Sequence, residues 1–252
     1  MAKVLILGGT AEAGELAARL AGDDRLDTVT SLAGLTRMPA PVAGQVRRGG
    51  FGGPDGLAAT LTGGTYDALV DATHPFAEQI AANAAEAAAI AGVPLIKLVR
   101  PPFDRRPGDR FIDVPDMQAA ADRLPQGARV FLAAGRREIR QFADRSDLWC
   151  LVRMIEPPAP GETLPGGKIV LGHPARTADE EIMLLREHDI GWIVSKDSGG
   201  KASAKIDAAR QLGLPVILIA RPQLPDVLTV TRIDDVMAWL EDRLFPNAKD
   251  GN

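Results

Sequence analysis

The chain has 252 residues, 46% of them hydrophobic and 25% charged, a balance that excludes a disordered polymer and allows one large or two compact domains. A formal net charge of −4 and only 4% aromatic residues exclude a general nucleic-acid coat and a base-stacking platform, while leaving room for a local basic cleft around an anion. One cysteine, Cys150, excludes an internal disulfide and any multi-cysteine metal or redox motif. No uninterrupted apolar run approaches the roughly 20 residues that span a bilayer, and no secretory pattern opens the chain, so a soluble, cytoplasmic protein without membrane or nucleic-acid partners is expected.

The first element is the apolar run Val4, Leu5, Ile6, Leu7, which stops at Gly8 and Gly9 and continues with helical spacing through Leu16, Ala17 and Leu20. A buried strand therefore turns into a helix here. Free N–H groups at such a helix start, backed by the positive end of its dipole, receive phosphates. From Gly9 the spacing is G-x-A-x-x-G, the dinucleotide pattern with alanine at its middle position. Gly9, Thr10, Glu12, Ala13 and Gly14 are assigned to a pyrophosphate turn. Glu12 is awkward beside phosphate, so it either caps the helix or bonds a ribose hydroxyl.

A second strand over 28–32 ends in Ser31 and runs on through Thr36 and Arg37 without the acid that an NAD site places about 20 residues after its glycines. Two hydroxyls and a guanidinium suit a 2′-phosphate, which favours NADP over NAD; the alternative leaves Arg37 as a solvated loop residue. A third strand over 45–48 runs into GGFGG (49–53), where Gly50 is placed at the same cleft unless the segment is a surface turn. The fourth, over 68–71, runs into Thr73, His74 and Pro75, assigned beside the nicotinamide ribose. These breaks fall at strand carboxyl ends, the edge where open α/β sheets bind ligands. An alanine-rich helix over 76–91, stopped by Gly92, and a strand over 94–98 follow.

The Pro- and Arg-rich stretch 100–110 is read as the crossing between domains or a lid beside it. This gives an NADP-binding domain over 1–104 and a substrate-binding domain over 105–252, with the boundary within 100–128. The second half carries strand patterns over 129–133, 149–153, 192–194 and 216–220, and helical patterns over 177–187, 201–212 and 234–244. A long Pro- and Gly-rich excursion over 156–167 is of the kind that often carries function. Alternating strands and helices predict an α/β fold of two Rossmann-like domains, with mostly parallel sheets and a ligand cleft between them.

Eight segments, LILGGTAEAGELAARL (5–20), SLAGLT (31–36), GGFGG (49–53), DATHPFA (71–77), LAAGRREI (132–139), SKDSGG (195–200), KIDAA (205–209) and ARP (220–222), run in order from end to end. Together they resemble the precorrin-6A reductase family of cobalamin biosynthesis. Leu35 departs from the basic residue common there, leaving more of the 2′-phosphate to Ser31, Thr36 and Arg37. The resemblance implies an NADPH-dependent oxidoreductase acting on a CH–CH bond. A hydride goes to one carbon of a macrocycle double bond and a proton to its neighbour, giving precorrin-6B. It also implies an anionic tetrapyrrole-derived substrate, with neighbouring enzymes of the pathway as partners.

Gly135, Arg136, Lys196, Ser198, Gly199, Gly200, Lys205 and Arg221 are assigned to that substrate. The amides of 198–200 and the guanidinium of Arg221 suit carboxylates; Arg136 and Arg137 serve equally as a solvated helix start. The proton comes from Lys196, Lys205 or His74, or from solvent, Lys196 being as well suited to hold a substrate carboxylate. His173 and His188 lack partners at ligand spacing, so no metal is expected. A short-chain dehydrogenase fails on its Tyr-x-x-x-Lys pair, because the sole tyrosine, Tyr66, is followed four places later by Val70. A non-catalytic NADP-sensing or interaction protein would need only the first half.

Overall fold

The computed structural model describes residues 1–32, 42–135, 138–200 and 203–246. Two compact units make up the chain, one of Met1–Arg100 with the segment from Pro222 onward, the other of Pro101–Arg221.

The first unit opens with β1 (Ala2–Leu7), α1 (Ala11–Leu20), β2 (Leu26–Leu32), β3 (Gln45–Arg48), α2 (Pro54–Gly63), β4 (Ala68–Asp71), α3 (Glu78–Ala91) and β5 (Leu95–Leu98). The second contains β6 (Phe111–Val114), α4 (Met117–Arg123), β7 (Arg129–Ala133), a 3₁₀ turn (Ile139–Phe142), β8 (Trp149–Met154), β9 (Gly167–Leu171), α5 (Ala178–Glu187), β10 (Trp192–Lys196), α6 (Ala204–Leu212) and β11 (Val216–Ile219). The chain then returns to the first sheet with β12 (Thr229–Val230) and α7 (Ile233–Leu244).

Among the described residues both sheets have six strands, ordered β12-β5-β4-β1-β2-β3 and β6-β11-β10-β7-β8-β9, and every pairing is parallel. Parallel sheets need both faces covered, and the central strands accordingly bury most of their residues. In the first unit, Val4, Ile6 and Val70 meet Leu16 and Leu20 of α1 and Val236 and Leu240 of α7. On the opposite face Leu5, Leu7 and Leu69 meet Leu57 and Leu61 of α2 and Ala84 and Ala87 of α3. Alanines let α3 pack close, and Gly92 ends it in the left-handed conformation at φ 66°. In the second unit Phe131, Ile193 and Leu218 pack against Ile182 and Leu185 of α5 and Ile206 and Ala209 of α6.

Several elements differ from the sequence expectation. The second domain does not continue to residue 252: β12 pairs with β5, Thr229 against Lys97 and Val230 against Leu98. Two residues are too few to show a strand period, and the apolar face of α7 matches the α1 side of the first sheet. The Pro- and Arg-rich stretch begins the second unit and is pinned there. Arg210 on α6 donates through Nε and Nη2 to both oxygens of Asp109, at 2.8 and 2.9 Å, and through Nη2 to the Asp104 carbonyl at 2.6 Å. The helix expected from 76 starts at Glu78, because Ala77 N–H turns back to the His74 carbonyl at 2.8 Å. α6 starts at Ala204, and β10 extends to Lys196. α2, β6, α4 and β9 are too short or too weakly patterned to have been read from sequence. Among the described residues no helix is long and apolar enough to cross a membrane.

Candidate functional site

In the first sheet the strand order reverses between β1 and β4: one branch proceeds through β2 to β3, the other through β5 to β12. Ligands bind at the carboxyl edge of such a switch point, and the two loops that meet there are the β1–α1 turn and the β4–α3 loop. Thr10 ties them together. Its Oγ1 donates to the Ala72 carbonyl at 2.7 Å and accepts from Ala13 N–H at 3.1 Å, capping α1. The first intrahelical bond is Gly14 N–H to the Thr10 carbonyl at 3.2 Å, so the N–H groups of Ala11 and Glu12 precede the ladder. Ala13 is 1% exposed and contributes backbone alone.

Gly9 has φ 110°, a conformation that L side chains rarely adopt, and a Cβ there would meet nothing within 4 Å. Among the described residues the space beside Gly9 is therefore open, as a bound pyrophosphate requires. Glu12, next to it, forms an ion pair with Arg100, Nη1 to Oε2 at 3.1 Å, so its carboxylate is compensated. These residues fit a dinucleotide phosphate.

Ser31, next to the end of β2, is in register with Arg47 of β3. Arg47 donates to Ser31 Oγ at 3.3 Å, to the Gly49 carbonyl at 2.7 Å and to the Gly50 carbonyl at 2.9 Å, and its guanidinium lies 4.0 Å from the Phe51 ring centre. The cation beside Ser31 among the described residues is thus Arg47. Thr36 and Arg37, like Leu35, lie outside the described residues.

Beneath the β4–α3 loop sits a buried ion pair, Asp71 Oδ2 with Lys97 Nζ at 2.6 Å. Asp71 Oδ1 accepts from Thr73 N–H at 3.0 Å and from Thr73 Oγ1 at 2.6 Å, so the Thr73 hydroxyl faces inward. His74 Nδ1 accepts from Phe76 N–H at 3.2 Å, which puts the proton of the neutral ring on Nε2. Pro75, between them, is buried.

The second sheet reverses between β7 and β10, which brings the segment after Ala133 and the SKDSGG loop to one edge. Lys196 Nζ is paired there with the Glu138 carboxylate. Glu138 N–H donates to the Gly135 carbonyl at 3.0 Å, closing the turn that carries it. Arg136 and Arg137 lie outside the described residues. Asp197 Oδ1 accepts from Phe103 N–H at 2.9 Å, while Arg221 donates through Nε to the Asp197 carbonyl at 2.8 Å and through Nη2 to the Ser198 carbonyl at 3.2 Å. Both ends of the second unit thereby hold the loop. A Cβ on Gly199, at φ 62°, would overlap the Pro101 carbonyl, so only glycine permits that approach. Arg221 is engaged with loop carbonyls rather than presented as a bidentate fork. Gly200 follows with φ 79°, and Lys205 Nζ, on the first turn of α6, lies 5.2 Å from the Phe103 ring centre.

Burial pushes the Cys150 thiol up to about 11, the property of a packing residue and not of a nucleophile. Among the described residues no group of three or more His, Cys, Asp or Glu could hold a metal ion.

Four charged residues that sequence reasoning passed over are structurally central: Arg47, Lys97, Arg100 and Glu138. Lys97 did carry a signal, a lone lysine inside the apolar strand Leu95–Leu98. A charge in such a strand needs a buried partner. Arg47 carried only its position before GGFGG, and its neighbour Ser31 emerges from sheet register alone.

An all-parallel sheet in the order β3-β2-β1-β4-β5-β12, with a glycine turn and capped helix at its switch point, defines an α/β protein of the Rossmann type. The family model described as precorrin-6x reductase CbiJ/CobK matches residues 3–241, and the chain belongs to that family of oxidoreductases. It is 46% identical over 243 residues to a precorrin-6A reductase from Rhodococcus erythropolis, covering 95% of this chain and 98% of the relative. To the precorrin-6A reductase of Rhodobacter capsulatus it is 43% identical over 244 residues, covering 96% and 97%. A solved structure of CobK precorrin-6A reductase superposes with a TM-score of 0.91 at 42% identity, covering 96% of this chain and 97% of that one.

Proposed function

We propose that the protein reduces precorrin-6A to precorrin-6B with NADPH, the first unit holding the cofactor and the second the macrocycle. The observation that carries this is the β1–α1 turn of a chain related over nearly its whole length to precorrin-6A reductases. Gly9 leaves open space beside the helix start among the described residues, Arg100 compensates Glu12, and the Ser31 hydroxyl with the Arg47 guanidinium suits a 2′-phosphate. When bound, NADPH would supply a hydride to one carbon of the ring double bond, and the neighbouring carbon takes a proton.

The chain's own residues position the reactants. The Asp71–Thr73 contacts hold the β4–α3 loop, and the N–H groups at the start of α1 receive phosphate. Lys196, oriented by Glu138, holds a substrate carboxylate or gives the proton; His74, as the imidazolium, is the other donor, and solvent the third. Residence in the cytoplasm and neighbouring enzymes of the same pathway complete this reading.

Mixing the purified chain with NADPH and precorrin-6A tests it. Loss of the reduced-nicotinamide absorbance together with a spectral change of the macrocycle is expected. Cofactor binding without turnover would identify an NADP-sensing protein instead.

A further inference from the structure

Where the SKDSGG loop leaves β10, three ties from different parts of the second unit converge on one residue that the sequence pattern passed over, Asp197. Its N–H donates to the Ile219 carbonyl at 3.0 Å, one bond beyond the last strand residue, Lys196. Its carbonyl accepts from Arg221 Nε at 2.8 Å. Its side chain accepts through Oδ1 from Phe103 N–H at 2.9 Å, and the residue is 9% exposed. Ser198 N–H then turns back to the Lys196 carbonyl at 2.7 Å, so the chain reverses around Asp197 within three residues.

The Phe103 bond differs from the other two. It is made by the side chain and reaches across 94 positions of sequence to a buried partner. Phe103 packs in the core with Phe131, Ile193, Ile206 and Leu218. A buried N–H needs an acceptor, and here a side chain supplies it in place of a neighbouring strand. The turn is thereby fastened to the core immediately after Lys196, whose Nζ is paired with Glu138. Phe103 N–H is a neutral donor, so the contact asks residue 197 for an oxygen in one place and not for a negative charge.

We propose that Asp197 is a positioning residue for the substrate: through the Phe103 bond it sets the course of the turn that carries Lys196 and Ser198, and it acts as an acceptor and not as an anion. This rests on the preceding reading for the identity of the substrate. A carboxylate beside an anionic ligand opposes binding, so losing the charge while keeping the oxygen leaves substrate affinity intact or raises it.

Three full-length variants test it. Asp197→Ala removes the acceptor, Asp197→Asn keeps an acceptor oxygen without the charge, and Asp197→Glu keeps the charge but moves the oxygens one methylene away. Without cofactor, the dissociation constant for precorrin-6A should rise about tenfold or more in Asp197→Ala and Asp197→Glu, while Asp197→Asn restores it to wild type or below. NADPH affinity should stay within about twofold throughout, and the Phe103 amide hydrogen should exchange about tenfold faster in the first two variants only. Unchanged precorrin-6A affinity in folded Asp197→Ala or Asp197→Glu overturns the proposal. So does an Asp197→Asn as weak as either, or a parallel loss of NADPH affinity. Where neither of the first two folds, wild type decides: precorrin-6A should slow Phe103 amide exchange, and an unchanged rate overturns the proposal. Should wild type fail to bind precorrin-6A, the functional reading falls separately and the amide resonances of Gly200 and Glu138 are followed instead. Their movement in Asp197→Ala and not in Asp197→Asn supports the positioning role, and resonances that stay in place in Asp197→Ala overturn it.

Discussion

Lys97 Nζ lies 2.6 Å from Asp71 Oδ2, with side chains only 1% and 2% exposed, while the other oxygen of Asp71 takes two hydrogen bonds from Thr73. One buried carboxylate thus joins a cation on the neighbouring strand to the first residue of the loop assigned to the cofactor. Removing one partner from a buried pair typically costs about 3–5 kcal/mol, because the other charge is stranded. Lys97→Met should lower unfolding stability by about that amount, measured by urea denaturation, and should weaken NADPH binding with it. Asp71→Asn added to Lys97→Met should recover most of the stability but not the cofactor affinity, since an amide does not accept from Thr73 as a carboxylate does. Full recovery of both would reduce the pair to packing.

Arg47 supports a different contact. Stacked on Phe51 and donating to Ser31, it places a guanidinium where a 2′-phosphate is expected. Arg47→Ala should raise the Michaelis constant for NADPH far more than that for NADH, by about 1.5–3 kcal/mol for a lost charged hydrogen bond. An equal effect on both would make Arg47 a brace for the Gly49 and Gly50 carbonyls and leave the phosphate to residues 36 and 37.

Lys196 is held by Glu138 at the switch point of the second sheet. Lys196→Ala should raise the Michaelis constant for precorrin-6A at least tenfold, about 1.5 kcal/mol or more, with NADPH affinity little changed. If substrate affinity is untouched, the lysine serves Glu138 alone.

Acid stability follows from two carboxylates in the second unit. The Arg210 side chain beside Asp109 holds that carboxyl below its ordinary value of 3.8, and Arg145 holds Asp147 down at about 2. A folded value below the unfolded one contributes stability that is present above the unfolded value and lost as pH falls through the folded one. Wild-type stability should therefore decline as pH drops below about 4 towards 2. Asp109→Asn and Asp147→Asn should each be less stable than wild type at pH 7 and converge with it at the acid end, as thermal melts across pH would show. A difference that persists unchanged at low pH would contradict the assignment.

Local spacing carried much of the first unit. The run from Val4 to Leu7, the glycine break and the apolar periodicity to Leu20 specify a strand, a turn and a helix within a few residues of one another, while the cap proves to be Thr10 and not Glu12. Composition likewise disclosed the α3 helix, and the series of motifs disclosed the family. Contacts made by distant residues were hidden, because sheet register and strand crossovers set them. Arg47 reaches Ser31, Lys97 reaches Asp71 and Arg221 reaches the SKDSGG loop only once parallel strands align them.

The amino-acid order alone determined that this is an α/β chain with a phosphate-type turn and no alternative catalytic pair of the short-chain dehydrogenase kind. Folding decided which sheet receives Thr229 and Val230 and which cations are already matched by carboxylates. The reason is one of range: backbone propensity and side-chain period act over neighbouring residues, whereas charge pairing and burial depend on which strands come to lie side by side.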